Sequence, residues 1–302
     1  MKLHYADHFV LPLPAGHRFP MDKYARLREQ LQSLPVFDDT DFIVPPAACD
    51  DEILQAHCPD YLHRVVDGRL DAAEQRRIGF PWSPGMVERS RRSAGATLSA
   101  CRAALQEGSS ANLAGGTHHA HRDFGSGFCV FNDAAIAALQ LRTEARVDQV
   151  AIIDCDVHQG DGTAAILAGV REVFTFSMHG AKNFPFRKMP SDLDIELADG
   201  TGDEDYLAAL ADGLAVVFRR LTPDLVIYLA GADPYREDRF GRLGLSIDGL
   251  KRRDELVIAQ CLNRHIPLAI AMAGGYARNT ADTVTIHTNT IATAASMLHA
   301  GA

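Results

Sequence analysis

The amino-acid sequence predicts an α/β fold, a single domain in which a mainly parallel β-sheet carries helices on both faces. Short apolar runs rich in valine and isoleucine recur at 149–154, 172–178, 224–231 and 267–275. They are apolar at successive positions, which is typical of strands buried on both faces of a parallel sheet. Helical patterns separate the runs, and this alternation predicts βαβ units. No repeat, low-complexity tract or linker interrupts the sequence, so residues 1–302 are predicted to form one domain.

Five segments predict the longer helices. The first, 21–34, starts next to Asp22, which is expected to cap it. Segment 83–108 begins with serine and proline and ends with glycine, the usual asymmetry of helix termini. Segment 203–221 begins with acids and ends with arginines, as the helix dipole favours. The remaining helical patterns are 246–265 and 280–300.

The composition is that of an ordinary globular protein. The 302 residues are 47% hydrophobic and 23% charged, with a formal net charge of −9. This acidity disfavours a nucleic-acid partner, for which a basic surface is expected. The six cysteines form no CxxC pair, the N-terminal residues lack the apolar segment of a signal peptide, and no stretch reaches the ~18 apolar residues of a membrane span. We therefore expect a cytoplasmic protein with free thiols and no membrane partner. The oligomeric state stays open.

Polar or small residues follow four of the predicted strands at the point where each strand ends. The first strand leads into DCDVHQGDG at 154–162, and the second leads into Met-His-Gly. The third is followed by Asp233 and the fourth by Tyr276. In open parallel sheets, ligands bind beyond the carboxyl ends of the strands. The sequence therefore predicts a functional site at this edge of the sheet.

The first feature of this edge is the spacing of Asp154, Asp156 and His158, whose side chains point the same way if the strand continues. Such groups are costly to bury unpaired, and a divalent cation relieves that cost. Carboxylate and imidazole both bind zinc, and Asp233 is the candidate third ligand beside Asp156 and His158. Three protein ligands leave a position open for water, as a catalytic zinc site requires. Taken singly, each acid is equally typical of a loop or a helix cap, Asp161 above all.

The second feature is the adjacent pair His118 and His119, which follows two glycines. Histidine titrates near neutrality, so the pair can act as general acid/base beside a metal-bound water. Asp154 and Asp161 are suitable carboxylate partners for the two imidazoles. A surface or core position is the commoner fate of a histidine, and His121 is assigned such a structural position.

The third feature is Tyr276, which follows a pair of glycines. Gly-Gly after a strand permits unusual backbone angles and a close approach. A tyrosine hydroxyl in that position can donate to an oxyanion that develops on an attacked carbonyl. Taken alone, Tyr276 is more typical of a side chain packed beneath a loop.

Together these stretches resemble the zinc-dependent histone deacetylase family of the arginase–deacetylase fold. The motifs GGTHHA, DCDVHQGDG, FSMH, GADP and GGY occur in the family's order and at similar spacing across 115–276. HRFPMDKY at 17–24, CPDYLHRV at 58–65 and RRIGFPWSP at 76–84 are similar to the family too. With AGGYARNTAD they favour the class IV branch and its bacterial relatives. The resemblance covers nearly the whole sequence.

The resemblance implies a role for each of these residues. The general acid/base would be His119 with Asp161 behind it, and its electrostatic partner would be His118 with Asp154 behind it. Tyr276 would polarise the acyl carbonyl. The implied zinc ligands are Asp156, His158 and Asp233.

The resemblance also implies an acyl channel and a second ion. Phe128 and Phe184 match its aromatic walls, and Gly127, in the glycine-rich GSGF stretch, is expected to form a wall or turn close to the substrate. Family members bind a potassium ion beneath the zinc. The implied potassium contacts here are Asp154, Ser177, Met178 and the backbones of Asp156 and His158.

The predicted function is zinc-dependent removal of an acetyl or longer acyl group from the lysine side chain of a protein or peptide. An alternative is a hydrolase of small acylated amines such as acetylpolyamines, which would favour acids near the mouth of the site. A non-catalytic acyl-group binder should have lost a ligand, the histidine pair or the tyrosine, and all are present. Related manganese hydrolases hold two metals and need extra carboxylates, where this sequence has Gly160 and Tyr235.

Overall fold

The computed structural model describes residues 1–11 and 13–301, and within them eight strands form one sheet. The strands are β1 (Lys2–His4), β2 (Phe42–Ile43), β3 (Ser109–Asn112), β4 (Val150–Asp154), β5 (Val173–Gly180), β6 (Leu193–Leu197), β7 (Leu225–Leu229) and β8 (Leu268–Ala271). Their spatial order is β2-β1-β3-β8-β7-β4-β5-β6. Every neighbouring pair is parallel, which confirms the predicted parallel sheet.

Helices connect the strands and cover the sheet. Within the described residues they are α1 (Asp22–Gln32), α2 (Asp50–Ile53), α3 (Pro59–Val66), α4 (Ala72–Ile78), α5 (Pro84–Glu107), α6 (Asp133–Thr143), α7 (Asp161–Leu167), α8 (Asp203–Arg220), α9 (Ile247–Leu262) and α10 (Thr280–Gly301). None of them is long and apolar enough to cross a membrane.

Two apolar cores lie on the two faces of the sheet. Along β4, Ala151 and Ile153 pack in one core, and Val150 and Ile152 pack in the other, because side chains alternate along a strand. Residues of α1, α8, α9 and α10 belong to the first core, and residues of α2 to α7 belong to the second. The prediction of helices on both faces is therefore confirmed.

The five predicted helices and the four predicted strands are all present, within a few residues of their expected ends. The expected cap of α1 is wrong. Met21 occupies the N-cap position without a side-chain hydrogen bond, and Asp22 is the first helical residue. The Asp22 carboxylate lies 3.4 Å from Arg26 one turn later, so it pairs with a side chain along the helix.

Strand β3 was not predicted, because its sequence is polar. Ser109, Ser110 and Asn112 are fully buried in the middle of the sheet, between β1 and β8. The Asn112 side chain donates to the Ser93 carbonyl at 3.1 Å and accepts from the Ala114 N–H at 2.9 Å. These bonds satisfy the amide, and Ser110 Oγ donates to the Lys2 carbonyl at 2.7 Å, whereas the buried Ser109 Oγ makes no hydrogen bond with the described residues.

Candidate active site

The carboxyl ends of β8, β7, β4 and β5 meet at one edge of the sheet, since these strands are neighbours in that order. Asp154 is the last residue of β4, and the loop that follows carries Asp156 and His158. Asp233 follows β7 and Tyr276 follows β8. The fold thus brings together the strand ends that the sequence pattern indicates.

Asp156, His158 and Asp233 form a cluster whose candidate ligand atoms all lie within 4.8 Å of one another. His158 Nδ1 is 2.9 Å from Asp156 Oδ1 and 3.3 Å from Asp233 Oδ2. Asp233 Oδ2 is buried and makes no hydrogen bond with the described residues. Burial and the negative charge of Asp156 raise the pKa of Asp233 to about 7. A buried oxygen without a donor, beside a second carboxylate and an imidazole, fits a divalent cation.

Two glycines make room for these carboxylates. A Cβ at Gly274 would collide with Asp233 Oδ2 and would lie 2.6 Å from Asp156 Oδ2. A Cβ at Gly231 would lie 2.7 Å from Asp156 Oδ2. The Gly274 N–H donates to Asp156 Oδ2 at 2.8 Å, and the Val157 N–H donates to Asp233 Oδ1 at 2.8 Å. Backbone donors therefore fix one oxygen of each carboxylate.

A buried arginine of α9 supports both of the loops that carry the carboxylates. Arg253 Nη1 donates to the Gly231 carbonyl at 2.5 Å and to the Cys155 carbonyl at 3.3 Å. Asp254 balances the charge of Arg253, since Asp254 Oδ1 lies 2.8 Å from Arg253 Nη2. Sequence analysis missed Arg253, although an Arg-Asp pair on the apolar stripe of α9 is a signal that could have found it. It positions the two loops from behind and does not line the cavity described below.

His118 and His119 lie side by side after β3, with ring centroids 4.2 Å apart. His118 Nδ1 is 2.6 Å from Asp154 Oδ2, and His119 Nδ1 is 2.6 Å from Asp161 Oδ1. In each pair the carboxylate accepts from Nδ1–H, which leaves Nε2 for other partners. His118 Nε2 lies 3.9 Å from Asp156 Oδ1, beside the candidate metal-binding cluster.

The two histidines differ in charge. For His118, burial opposes protonation, but the negative charges of Asp154 and Asp156 outweigh it and raise its pKa to about 9. For His119, burial and the positive charge of His118 outweigh the hydrogen bond to Asp161 and lower its pKa to about 4. In the metal-free chain one imidazole is therefore a cation near neutral pH, and the other is a neutral base.

The loop that carries both histidines is held by Asp133, at the start of α6. Its carboxylate accepts from the Gly116 N–H at 2.9 Å, from the Thr117 N–H at 2.7 Å and from Thr97 Oγ1 at 2.5 Å. Gly115 and Gly116 have φ values of +81° and +71°, where glycine is favoured. Sequence analysis did not single out Asp133, because its partners are distant in the chain.

Asp161 is the first residue of α7, and Gly160 occupies the N-cap position. Both carboxylate oxygens accept from histidines, Oδ1 from His119 and Oδ2 from His121 Nε2 at 3.1 Å. Burial opposes ionisation, but these two hydrogen bonds outweigh it and lower the pKa of Asp161. The capping alternative is thus wrong for this residue, and His121 supports the carboxylate that orients His119.

Tyr276 is positioned by Asp238, a buried acid that sequence analysis did not assign. Asp238 Oδ2 accepts from the Tyr276 N–H at 2.6 Å, and Oδ1 accepts from the Phe240 N–H at 2.8 Å. The Tyr276 ring packs against Phe240 and Phe128 at centroid distances of 5.0 and 5.9 Å. Burial raises the pKa of Tyr276 well above its usual range, so the phenol stays protonated. No hydrogen bond from its hydroxyl is found among the described residues, which leaves this donor available to a substrate.

A cavity of about 550 Å³ is lined by the cluster, both histidines and Tyr276. The residues predicted to form the channel, Phe128, Phe184 and Gly127, line it too. The Phe184 ring lies 4.9 Å from the ring of His119, and a Cβ at Gly127 would lie 2.7 Å from His119 Cδ2. Six further aromatic residues that sequence analysis did not assign line the same cavity: Phe19, Tyr24, Phe80, Phe131, Phe186 and Phe240.

The backbone of the predicted channel wall is unusual. Gly127 and Phe128 have φ values of +53° and +66°. Their N–H groups donate to the carbonyls of Arg77 at 3.0 Å and Ile78 at 2.6 Å, at the end of α4. A Cβ at Gly79 would lie 2.7 Å from Phe128 Cε1, so the glycine there makes room for the ring. The end of α4 therefore holds Phe128 in the cavity in a left-handed conformation.

The residues expected to contact potassium lie on neighbouring strands. Asp154 is the register partner of Ser177, and both are buried. Asp154 Oδ1 accepts from the Asp156 N–H at 3.1 Å, and Ser177 Oγ lies 2.9 Å from His179 Nδ1. The Met178 side chain packs in the apolar core, so its backbone carbonyl is its candidate oxygen. Oxygen donors of this kind suit a hard cation.

Within the described part of the chain, Asp156, His158 and Asp233 form the one group of three or more acids, histidines or cysteines able to hold a metal ion. Gly160 and Tyr235 contribute no carboxylate. A Cβ at Gly160 would lie 2.5 Å from Asp154 Oδ2, so a larger residue would disturb that acid. The arrangement fits one metal ion rather than two.

Comparison with known proteins identifies the family. The sequence matches the histone deacetylase domain over residues 17–291. An uncharacterized protein of Picosynechococcus sp. is 42% identical over 283 residues, which are 94% of each chain. Histone deacetylase 2 of Arabidopsis thaliana is 30% identical over 274 residues, 88% of this chain and 71% of that protein. The chain belongs to the histone deacetylase family, whose members are hydrolases of acylated amines and are in general zinc-dependent.

Solved structures show the same fold. The crystal structure of an HDAC homolog complexed with SAHA matches with a TM-score of 0.83 at 22% sequence identity. The match covers 98% of this chain and 84% of that one. The predicted arginase/deacetylase-like fold is therefore confirmed.

Proposed function

We propose that this chain is a zinc-dependent amidohydrolase that removes an acetyl or longer acyl group from the lysine side chain of a peptide or protein. One observation carries the proposal: two His–Asp pairs, a three-residue metal-ligating cluster and an available tyrosine hydroxyl converge on one cavity. Amide hydrolysis needs a base for water, an acid for the leaving amine and a donor for the oxyanion. Each of these groups has a candidate here.

Asp156, His158 and Asp233 would hold the zinc ion. When bound there, zinc supplies Lewis-acid polarisation of the acyl carbonyl and lowers the pKa of water. The carboxylates of Asp156 and Asp233 are already oriented for this role, because a backbone N–H group donates to one oxygen of each.

The proton transfers belong to His119. With Nδ1 occupied by Asp161, Nε2 is the nitrogen that takes the proton of the attacking water and returns it to the leaving amine. His118, held by Asp154, stabilises the negative charge that develops next to it. The Tyr276 hydroxyl donates to the oxyanion. Phe184, against His119, excludes water from that side.

The cavity favours an acylated lysine over an acylated polyamine. Its aromatic walls suit the neutral alkyl stem of an acyl-lysine, and a volume of about 550 Å³ is in the usual range for a small-ligand site. The acids in its lining, Asp156 and Asp233, are both buried within the cluster. No exposed acid of the described residues lines the cavity, so a polycation would find no counter-charge at its mouth.

Four further assignments belong to the same proposal. We assign Asp154, Ser177 and Met178 to a potassium ion, since their oxygens are buried on adjacent strands. The stretches 17–24, 58–65 and 76–84, together with AGGYARNTAD, support membership of the class IV branch. We also propose a cytoplasmic location and a single catalytic domain over 1–302.

The experiment that tests the proposal is hydrolysis of matched peptides that carry acetyl-, octanoyl- or myristoyl-lysine, alongside N-acetylated polyamines. We expect release from a peptide that is lost on zinc chelation and returns with added zinc. The preferred chain length would report the usable depth of the cavity. Activity confined to the polyamines would favour the small-amine alternative, and no release from any substrate by the zinc-loaded protein would contradict the proposal.

A further inference from the structure

The charged residues at the mouth of the cavity are all basic. Four exposed charged side chains line it, and they are Arg18, Arg77, Lys182 and Arg242. Acids outnumber lysines and arginines in the whole sequence, 39 to 30, so a random sample of its surface would be more acidic than basic. We call these four residues the basic entrance.

The basic entrance comes from four separate segments, each next to a residue that lines the cavity. Arg18 precedes Phe19, whose ring lies 5.2 Å from that of Phe128. The Arg77 carbonyl accepts from the Gly127 N–H at 3.0 Å. Lys182 is two residues before Phe184, and Arg242 is two residues after Phe240. The positive charges are therefore distributed around the opening rather than confined to one loop.

Little of this charge is neutralised within the protein. Lys182 and Arg242 share one carboxylate, Asp199, at 3.7 and 3.4 Å. Arg18 and Arg77 form no ion pair with the described residues, and the Arg77 guanidinium stacks over the Phe124 ring at 4.7 Å. Four bases against one acid leave an excess of positive charge at the opening of a protein whose formal net charge is −9.

Acylation removes the charge of a lysine, so the entrance does not act on the acyl-lysine itself. It acts on what lies beside the acyl-lysine, outside the cavity. A cleft of one sign attracts ligands of the other and raises their association rate. A basic entrance repels polyamines and lysine-rich flanks. Phe186, 86% exposed on the loop of Phe184, adds an apolar surface next to the charges.

We infer that the substrates of this site are acyl-lysines in acidic peptide segments, with aspartate or glutamate close to the modified lysine. This inference rests on the proposed deacylase function and names its substrate class. The flanking carboxylates pair with Arg18 and Arg77, which form no ion pair with the described residues, while the acylated side chain enters between Phe128 and Phe184.

The test uses three peptides with the same acyl-lysine, flanked on both sides by glutamate, glutamine or lysine. At an ionic strength of about 0.02 M, we expect kcat/KM to fall in the order glutamate, glutamine, lysine, with about a tenfold range. At about 0.5 M salt the differences in kcat/KM among the three peptides should become smaller, because exposed charges are screened. Equal values for the three peptides, or a preference for lysine flanks, would overturn the inference and leave the proposed function intact.

A pair of variants locates the effect. The double variant Arg18→Gln/Arg77→Gln should reduce the glutamate-over-lysine preference about threefold or more, mainly through KM, because both side chains are exposed and neither is a proposed catalytic group. Arg171→Gln is the matched control: Arg171 is exposed and lies before β5, at the opposite edge of the sheet. An unchanged preference in the double variant, or an equal change in the control, would show that the basic entrance does not cause the preference for glutamate flanks.

A binding measurement distinguishes failure of the proposed function from failure of the inference about acidic flanks. Fluorescence anisotropy of the same labelled peptides reports affinity whether or not hydrolysis occurs. If no peptide is hydrolysed by the zinc-loaded protein, the proposed function fails, and tighter binding of the glutamate peptide still supports the entrance. Equal binding of all three peptides would overturn the inference by itself.

Discussion

His118–Asp154 and His119–Asp161 differ in charge, although a hydrogen bond of 2.6 Å joins each pair. The pKa of His118 is raised to about 9, and that of His119 is lowered to about 4. Both imidazoles are buried, so burial alone does not separate them. His118 also lies near Asp156, whereas His119 lies next to the positive charge of His118. Neighbouring charges therefore decide which imidazole is a cation.

A third histidine shows the effect of burial without any carboxylate. His57 is fully buried, with Nδ1 2.9 Å from the His121 carbonyl and Nε2 accepting from the Asn132 N–H at 2.9 Å. Burial lowers its pKa to about 4. The pKa of His119 is lowered as far as that of His57 in spite of its aspartate, because the positive charge of His118 opposes the effect of Asp161.

The largest effect is expected for the neutral member of the histidine pair. His119→Ala removes the proposed base and should lower kcat by about 10²- to 10⁴-fold, with zinc content and folding retained. Turnover of an acyl-lysine peptide measures kcat, and metal analysis measures the zinc content. His63→Ala, on the exposed surface of α3, is the control. Turnover within about threefold of the native protein would show that the base is wrongly assigned.

The next largest effect on turnover is expected for Tyr276, the proposed donor to the oxyanion, whose role neither histidine of the pair can take over. Tyr276→Phe should lower kcat by about 10²- to 10³-fold and leave the fold and the zinc content unchanged. Tyr235→Phe is the matched control, since its hydroxyl lies 3.4 Å from Asp282 and does not line the cavity. Equal turnover by the two variants would remove Tyr276 from the mechanism.

A smaller effect should distinguish the two aspartates. Asp161→Asn weakens the orientation of His119 and should cost about 10- to 100-fold in kcat. Asp154→Asn removes the carboxylate that contributes most to the charge of His118, so its pKa should fall below about 9. NMR titration of the metal-free variants measures the pKa of each imidazole. A His118 pKa that does not change in Asp154→Asn would refute the electrostatic account of the pair.

The smallest effect concerns His57, which is away from the chemistry. Its folded pKa of about 4 lies below the ordinary 6.5, so below pH 6.5 the unfolded chain binds a proton that the folded chain does not. The stability that His57 contributes is therefore present above pH 6.5 and is lost as pH falls toward 4, by about 1.4 kcal/mol per pH unit. Urea unfolding between pH 7.5 and 5.5 measures this loss. His57→Gln should flatten the dependence, and an unchanged slope would contradict it.

The sequence by itself determined the central strands and most of the long helices. The apolar runs that became β4, β5, β7 and β8 admit few other structures, because strands covered on both faces must be apolar throughout. It also indicated the candidate site, since Asp154, Asp156 and His158 are too costly to leave unpaired at a buried strand end. Both inferences depend on residues that are close in the chain.

Only the tertiary structure decided the features whose partners are distant in the chain. Strand β3 is polar and becomes interior through a hydrogen bond that Asn112 donates to α5 and one that it accepts from the loop after the strand. Asp133, Asp238 and Arg253 position the site through contacts with residues at least 16 positions away. The basic entrance gathers single residues from four segments. Apart from the Arg-Asp pair of α9, local patterns carry no sign of such features, because a charge or a hydrogen bond acts on whatever the fold brings near it. For the same reason the opposite pKa shifts of His118 and His119, adjacent residues of one type, could not be read from the sequence.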